Sequence, residues 1–326
     1  MNRWGPHNAL TDVPGIRVGH ATRIGDGALT GTTAVLLPPG AVTAVDVRGG
    51  GPCTRETATL DPRHGGSPAD AIVLSGGSVY GLCTADAVLR WLAGHLVADR
   101  SPVVPAACLF DLGRGGDFTA YPTADLGAEA ARNATAGPVE QGNVGAGTGA
   151  VTAGIKGGVG TASLVFQDGT VVAALAVVNA AGSAVDPETG EPHGLAAALD
   201  GEFPRLKSGR ARRDAAPATR WPTNTVIGVV ATNARLDLAQ AHRLAGAGQD
   251  GLAFAVRPAH QLVDGDTVFG VATGERPEFP PIGRLLDAAA TSFTRAMVHG
   301  VLAAESVTTP WGHIPAYAEQ HLDTVV

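Results

Sequence analysis

Short apolar segments alternate with turn-forming residues along most of the chain. Four of them, "TTAVLLPP", "AVTAVDV", "AIVLSGG" and "SPVVPAACLF", are rich in Val, Ala and Leu and are bounded by polar, Gly or Pro residues. Runs of this length and composition predict β-strands. A longer segment, "TASLVFQDGTVVAALAVVNAAG", contains two such runs joined at Asp168-Gly169, a dipeptide typical of tight turns. It predicts a β-hairpin.

Other segments carry apolar residues at helical spacing. The segment from Ser78 to Gly94, "SVYGLCTADAVLRWLAG", ends on Gly, as many helices do. A second helix is predicted to begin in Asp237 to Gly246, and a third covers Ile282 to Ser306, with apolar residues along one side. Helices mixed with strands and a hairpin are typical of a layered α/β architecture.

Two stretches lack this regular pattern. Residues 142–160, "GNVGAGTGAVTAGIKGGVG", are rich in Gly, and residues 183–222 are polar, contain Pro and have no period. An irregular connection of about 40 residues is uncommon in a compact domain unless it is functional or disordered, so we expect a flexible tail here. It ends at the triplet Thr223-Asn224-Thr225, directly before an apolar run, Val226 to Val230, that predicts a buried strand.

Composition limits the classes of partner. The chain has 326 residues, of which 44% are hydrophobic and 16% charged, enough for a well-buried core. Its net charge of -7 argues against nucleic acid, because phosphate binding needs a concentrated basic face and the Arg cluster at 210–213 falls in the irregular segment. A small neutral or cationic ligand fits this charge better.

The sequence also predicts a cytoplasmic protein without membrane contact. No apolar run has the form of a signal peptide or approaches the ~20 residues of a membrane span. The three cysteines, Cys53, Cys83 and Cys108, are odd in number and widely spaced. We expect them to be reduced and buried, rather than paired in disulfides or bound to zinc.

Several familiar motifs fail on a defining residue. The segment "LSGGSVYGL" is similar to a nucleophile elbow, but Tyr80 stands where G-x-S-x-G requires Gly. The segment "GAGTGA", from Gly145 to Ala150, lacks the spacing of a dinucleotide-binding loop. The ten His residues form no metal-binding motif, so we expect no metal site.

Thr225, at the head of the predicted strand, permits another chemistry. A hydroxyl becomes a useful nucleophile when a base lies beside it, and cutting the bond before Thr225 would release an α-amine on the same residue. Such an amine, with a pKa of about 7.7 to 8.0, can act as a general base at neutral pH. The irregular segment would then be the tail of one product chain. Alternatively, Thr225 marks an ordinary loop-to-strand junction, where Thr is common.

A succession of motifs resembles the L-aminopeptidase/D-esterase (DmpA-like) family. In order, they are "NALTDVPGIRVGHAT", "VRGGGPCTRETATLDP", "LSGGSVYGL", "GNVGAGTGA" with "KGGVGTAS", and "NTVIGVVATNARL". That family includes β-aminopeptidases and endo-type 6-aminohexanoate-oligomer (nylon-oligomer) hydrolases. The resemblance implies a four-layer αββα sandwich of DmpA/ornithine-acetyltransferase type, related to the N-terminal nucleophile hydrolases. It also implies self-cleavage, assembly into tetramers of αβ units, and neither metal nor organic cofactor.

Within one domain of residues 1–326, the resemblance places self-cleavage between Asn224 and Thr225. An α chain of residues 1–224 and a β chain of residues 225–326 would result, with Thr225 as nucleophile. Asn179, in "AVVNAAG", is expected to donate a hydrogen bond to the oxyanion, which is worth on the order of 100- to 1,000-fold in rate. Alternatively, Asn179 only caps a strand end.

The resemblance assigns supporting roles to three charged residues. Asp264 and Asp266, in "LVDGDTVFG", are expected beside the nucleophile, where they would raise the pKa of its amine; on their own, they are typical of a solvated hairpin turn. Lys156, in "GIKGGVG", is expected to orient the Thr hydroxyl or an Asp; alternatively, it extends from a loop into solvent.

Phe110 and Tyr80 are expected to contact substrate. Better-known family members carry Tyr where this chain has Phe110, which removes a hydroxyl from that position. Thr as nucleophile and the Asp pair favour the nylon-oligomer hydrolases within the resemblance. The alternatives are an aminopeptidase or β-aminopeptidase acting on short peptides or amides, an acyltransferase like the ornithine acetyltransferase relatives, and a non-catalytic binding protein.

Overall fold

Strands and helices alternate along the chain much as the apolar pattern predicts. The computed structural model describes residues 3–64, 66, 68–95, 100–204, 206 and 224–320. Its strands, in chain order, are β1 (Arg17–Gly25), β2 (Ala28–Leu36), β3 (Val42–Val47), β4 (Thr54–Arg55), β5 (Ala71–Ser75), β6 (Ala106–Cys108), β7 (Val151–Thr152), β8 (Ile155–Lys156), β9 (Val159–Val165), β10 (Val171–Val177), β11 (Ile227–Ala234), β12 (Thr267–Arg276), β13 (Val307–Thr309) and β14 (Gly312–Ile314). Its α-helices are α1 (Cys83–Ala93), α2 (Ala124–Arg132), α3 (Leu238–Ala255), α4 (Ile282–Leu302) and α5 (Tyr317–Gln320).

In the described part of the chain, the strands form two five-stranded sheets and two short ribbons. The first sheet has the order β1-β2-β5-β6-β4, and the second has the order β3-β12-β11-β10-β9. In the second sheet β11 and β12 are parallel, whereas the other neighbours are antiparallel. The ribbons pair β7 with β8 and β13 with β14.

Three apolar clusters define four layers. Successive side chains of a strand point to opposite faces, so in β5 Ile72 and Leu74 join the cluster between the sheets, together with Leu175 of β10. Val73 faces the other way, into the cluster with α1 and α2. A third cluster packs α3 and α4 on the outer face of the second sheet. The predicted αββα sandwich is confirmed.

The second sheet brings the ends of three strands together. β9 and β10 form the predicted hairpin around Asp168-Gly169, where Gly169 has a φ of +85°. β11 pairs with β10 on one side, with Ile227 opposite Val177, and with β12 on the other, with Ile227 opposite Thr267. The residues just before β11 therefore lie between the residues that follow β10 and those that precede β12.

The helices differ from the predicted segments mainly at their ends. The segment predicted from Ser78 begins as a 3-10 helix, Ser78–Leu82, and continues as α1. Asp237 caps α3, since its side chain accepts a hydrogen bond from Gln240 N at 2.8 Å. α4 ends at Leu302, before the predicted Ser306.

The prediction of a flexible tail at 183–222 is wrong for residues 183–204, which are packed against the rest of the protein. Ser183 exchanges two backbone hydrogen bonds of 2.9 Å with Arg257, and Val185 is buried. Glu202 forms an ion pair of 2.6 Å with Arg295 of α4, and both side chains are almost wholly buried. Apart from Leu206, the rest of the expected tail lies outside the described residues. Buried contacts hold the first half of this segment against the helices.

Two further expectations concern membranes and thiols. Within the described ranges, no helix is long and apolar enough to cross a membrane. The cysteines are free, as expected, but only Cys108 is buried, whereas Cys53 and Cys83 are half-buried.

Candidate active site

Thr225 lies at the point where the three strand ends meet. It is buried, and its backbone N–H donates to the carbonyl oxygen of Asn179, just beyond β10, at 2.5 Å. Its Oγ1 accepts a hydrogen bond from Gly265 N, just before β12, at 3.0 Å and donates to the carbonyl oxygen of Asn224. The Thr225 hydroxyl is therefore held against the carbonyl group of the peptide bond that precedes it.

Asp264 and Asp266 flank Gly265, but they do not form a solvated hairpin turn. Both carboxylates are buried, and the strand that follows them runs parallel to β11. Asp266 accepts hydrogen bonds from Val226 N at 2.9 Å and from His260 Nδ1 at 2.9 Å. Asp264 accepts one from Ala181 N at 3.2 Å. The two carboxylates thus hydrogen-bond to the segment after β10, at Ala181, and to the residue after Thr225, Val226.

The carboxylates of Asp264 and Asp266 also interact electrostatically. Burial, and then the negative charge of Asp266, raise the pKa of Asp264 to about 6. Both causes penalise the ionised form of Asp264, because burial removes its hydration and a like charge repels it. Asp264 can therefore exchange a proton in the weakly acidic range.

The side chain of Asn179 has a defined orientation. Its Oδ1 accepts hydrogen bonds from Arg114 Nη1 at 2.5 Å and from Val151 N at 3.0 Å. Its Nδ2 donates to the backbone oxygen of Phe110 at 3.2 Å. Two donors on Oδ1 fix which end of the amide carries the N–H groups. The alternative role of Asn179, as a cap at the end of a strand, does not account for these three contacts.

Lys156 is buried, with an exposed fraction of 0%, so the alternative that it extends from a loop into solvent is wrong. Its Nζ donates to the backbone oxygens of Gly147 at 2.9 Å and Gly157 at 2.7 Å. Burial, and then the positive charge of Arg114, lower its pKa to about 7. Among the described residues, Lys156 makes no hydrogen bond with Thr225 or with either aspartate, which differs from the expected orienting contact.

Arg114 and Asp111 are site residues that the sequence analysis missed. Arg114 is buried, and it donates to Asn179 Oδ1 and, from Nη2, to Asn224 Oδ1 at 3.0 Å. Burial lowers its pKa to about 10, and burial raises the pKa of Asp111 to about 6. The available signal was a single Arg among glycines, "DLGRGGDF", directly after a predicted strand.

The two residues expected to contact substrate lie differently. Phe110 joins the site through its backbone oxygen, and its ring packs on Phe118 with the ring centres 6.2 Å apart. Tyr80 is 48% exposed and stacks on Tyr121 at 4.4 Å. Its 3-10 helix follows Gly77, whose N–H donates to Asp111 at 2.7 Å. Both residues border the site without a side-chain hydrogen bond to Thr225 in the described part of the chain.

The arrangement suits acid–base and nucleophilic chemistry on a carbonyl group. The Thr225 hydroxyl and the Asp264 carboxyl, with its raised pKa, lie just before β11 and β12. The oriented amide of Asn179 contacts Arg114, whose charge acts on Asp111 and Lys156, two more groups with shifted pKa values. Within the described ranges, no group of three or more His, Cys, Asp or Glu residues is arranged to hold a metal ion.

Similar proteins identify the family. The model of "Peptidase family S58" matches residues 8–314. An uncharacterized aminopeptidase of Mycobacterium tuberculosis (strain ATCC 25618 / H37Rv) is 46% identical, over 96% of this chain and 97% of its own. A 6-aminohexanoate-oligomer endohydrolase of Kocuria sp. (strain KY2) is 30% identical, over 81% of this chain and 74% of its own.

Two solved structures share the fold. A β-aminopeptidase of Burkholderia sp. has a TM-score of 0.77 and 24% identity, covering 99% of this chain and 94% of its own. The L-aminopeptidase D-Ala-esterase/amidase of Ochrobactrum anthropi, described as a variant of the N-terminal nucleophile (Ntn) hydrolase fold, has a TM-score of 0.76, 24% identity and the same coverage. The chain therefore belongs to peptidase family S58, as an enzyme of the peptidase and amidase class with an Ntn hydrolase fold.

Proposed function

We propose that this protein cuts its own Asn224–Thr225 bond and then hydrolyses amide bonds of small peptides with Thr225 as nucleophile. The observation that carries the proposal is the position of Thr225 Oγ1, which lies between Gly265 N and the carbonyl oxygen of Asn224. A nucleophile hydrogen-bonded at the carbonyl group that it must attack is held close to a reactive geometry.

Self-cleavage proceeds through an ester. The Thr225 oxygen bonds to the carbonyl carbon of Asn224, the C–N bond between the two residues breaks, and the hydroxyl proton ends on the Thr225 nitrogen. Water then hydrolyses the ester, which leaves a carboxylate on Asn224 and a free amine on Thr225. Asp264 and Lys156, whose pKa values are about 6 and about 7, are site groups that exchange protons near neutral pH.

The mature enzyme uses the same atoms on a substrate. The Thr225 amine takes the proton of its own hydroxyl, Oγ1 bonds to the substrate carbonyl carbon, and the C–N bond breaks as the departing amine receives that proton. Water then hydrolyses the resulting ester, which releases the acid and restores the Thr225 hydroxyl. Asn179 Nδ2 donates to the oxygen that becomes negative, because Arg114 and Val151 N hold the other end of its amide. Asp266 orders the start of β11 through Val226 N.

Aminopeptidase activity on short peptides is the first substrate class that we propose. It is supported by the 46% identity to a relative named as an aminopeptidase. A nylon-oligomer type of amidase is the second candidate, favoured by Thr225 and the Asp264–Asp266 pair together with the 30% identity to a 6-aminohexanoate-oligomer endohydrolase. Comparing turnover of free-amine dipeptides, N-blocked dipeptides and 6-aminohexanoate oligomers separates the two classes.

Processing provides the direct test of the nucleophile. Purified wild-type protein should separate into two chains whose masses correspond to residues 1–224 and 225–326, and Thr225→Ala should remain one chain. Thr232→Ala, which changes a buried Thr within β11, is the matched control and should still be cleaved. Cleavage at another bond, or cleavage that persists in Thr225→Ala, would contradict the proposal. Assembly as a tetramer of αβ units and a cytoplasmic location stay predictions, and light scattering measures the first.

A further inference from the structure

The side chain of Asn224 occupies a defined polar subsite. Its Oδ1 accepts a hydrogen bond from Arg114 Nη2 at 3.0 Å. Its Nδ2 donates to the backbone oxygens of Ala180 at 2.6 Å and Val151 at 3.2 Å. Both N–H groups and the oxygen of the carboxamide are thus paired. We name Arg114 Nη2, Ala180 O and Val151 O the carboxamide subsite.

This subsite has the position of an acyl-group pocket, an argument that rests on the proposed self-cleavage. The ester formed during maturation carries Asn224 as the acyl group on Thr225 Oγ1. The ester formed from a substrate has the same bond to the same oxygen, with the substrate's acyl residue in place of Asn224. The groups that surround the Asn224 side chain in the uncleaved chain therefore surround the side chain of the substrate's acyl residue in the mature enzyme.

The chemistry of the subsite distinguishes Asn from residues of similar shape. Leu has nearly the same size but pairs with neither Arg114 nor the two backbone oxygens, and buried polar groups without partners are costly. Asp would satisfy Arg114, but its second oxygen would face the oxygens of Ala180 and Val151. An amide oxygen on one side and an N–H donor on the other satisfy all three groups.

The acidic group near Arg114 is Asp111, whose charge acts on the guanidinium but which forms no ion pair with it among the described residues. None of the ion pairs in the described part of the chain includes Arg114, which is 1% exposed. Its other terminal nitrogen donates to Asn179 Oδ1 at 2.5 Å and to Gly149 O at 2.7 Å. The same guanidinium thus contacts both the acyl side chain and the proposed oxyanion donor.

We propose that the mature enzyme selects substrates whose acyl residue is asparagine, that is, peptides and amides with an N-terminal Asn held by the carboxamide subsite. A site built to hydrogen-bond a polar group rejects an analogue that lacks it far more strongly than an apolar pocket rejects a missing methylene. We expect kcat/KM for asparaginyl amides to exceed that for leucyl amides on the order of 10,000-fold. Aspartyl amides should also be poor substrates.

The test uses wild-type protein whose cleavage has been verified by intact mass. The kcat/KM values are measured for the p-nitroanilides of Asn, Leu and Asp, which share one leaving group. A clear preference for Asn supports the subsite. Cleaved enzyme that hydrolyses the leucyl compound as fast as the asparaginyl one overturns the subsite but leaves Thr225 as nucleophile. Uncleaved protein overturns the proposed function and the subsite with it. Cleaved protein that is inactive on all three compounds overturns the aminopeptidase activity and the subsite but leaves self-cleavage by Thr225 standing.

Two variants make the test independent of any one substrate. Asn224→Leu should slow self-cleavage tenfold or more, roughly, because it leaves the three subsite groups unpaired; an unchanged cleavage rate overturns the subsite. In cleaved Arg114→Met, the ratio of the Asn rate to the Leu rate should fall toward one, even if both rates fall. A purely structural role of Arg114 would lower both rates and leave that ratio unchanged.

Discussion

The ionisation of Asp264 leads to a quantitative prediction about stability. Asp264 is 2% exposed, and its carboxylate accepts a hydrogen bond from the backbone N–H of Ala181. Burial, and then the charge of Asp266, raise its pKa from 3.8 to about 6. A difference of this size corresponds to roughly 3 kcal/mol in the free energy of unfolding.

The direction of the effect follows from which form burial penalises. A carboxyl group with a higher pKa in the folded than in the unfolded protein binds its proton more tightly when folded, so ionising it destabilises the fold. The cost of the ionised form begins near pH 3.8 and is complete above about pH 6. Asp264→Asn is neutral throughout and keeps an acceptor for Ala181 N. We expect it to stabilise the protein by about 3 kcal/mol at pH 7.5 and by only about 1 kcal/mol at pH 4.5.

Urea unfolding at the two pH values measures this difference. The measurement uses a Thr225→Ala background, in which the proposed cleavage cannot separate the chains. Asp287→Asn, on the exposed side of α4, serves as the control and should change the free energy of unfolding equally at both pH values. A gain from Asp264→Asn that is the same at pH 4.5 and pH 7.5, or a loss at both, would refute the reasoning.

Three further predictions concern other buried groups. Burial lowers the pKa of Lys156 from 10.5 to about 7, so the folded parent loses stability as pH falls from about 10 to 7. Lys156→Met has no such group and should therefore gain stability relative to the parent over this range, measured by urea midpoints. Removing one partner of the buried ion pair, in Glu202→Gln or Arg295→Met, should destabilise by about 3 to 5 kcal/mol, and the double variant by less than the sum, in thermal or urea unfolding. Cleaved Asn179→Ala should lose on the order of 100-fold or more in kcat with little change in KM, measured by steady-state kinetics.

Sequence reasoning was most successful where the structure depends on near neighbours. The hairpin at Asp168-Gly169 follows from a turn dipeptide between two apolar runs, and α3 begins at the capping residue Asp237. It failed for 183–204, where a polar and aperiodic composition suggested a flexible tail. Such composition does not reveal that Glu202 meets a buried arginine 93 residues away.

In the candidate site, too, some features follow from the sequence and others only from the tertiary structure. The sequence by itself determined that an apolar strand starts directly after Thr225 and, through several motifs in order, which family the chain belongs to. Only the tertiary structure decided that Gly265, 40 residues away, donates to the Thr225 hydroxyl, and that Lys156 is buried. It alone brought Arg114 to Asn179 and Asn224, which are 65 and 110 residues away. The physical reason is that turns and strand patterns depend on residues a few positions apart, whereas burial and the pKa shifts it causes depend on which distant strands pair and in which register.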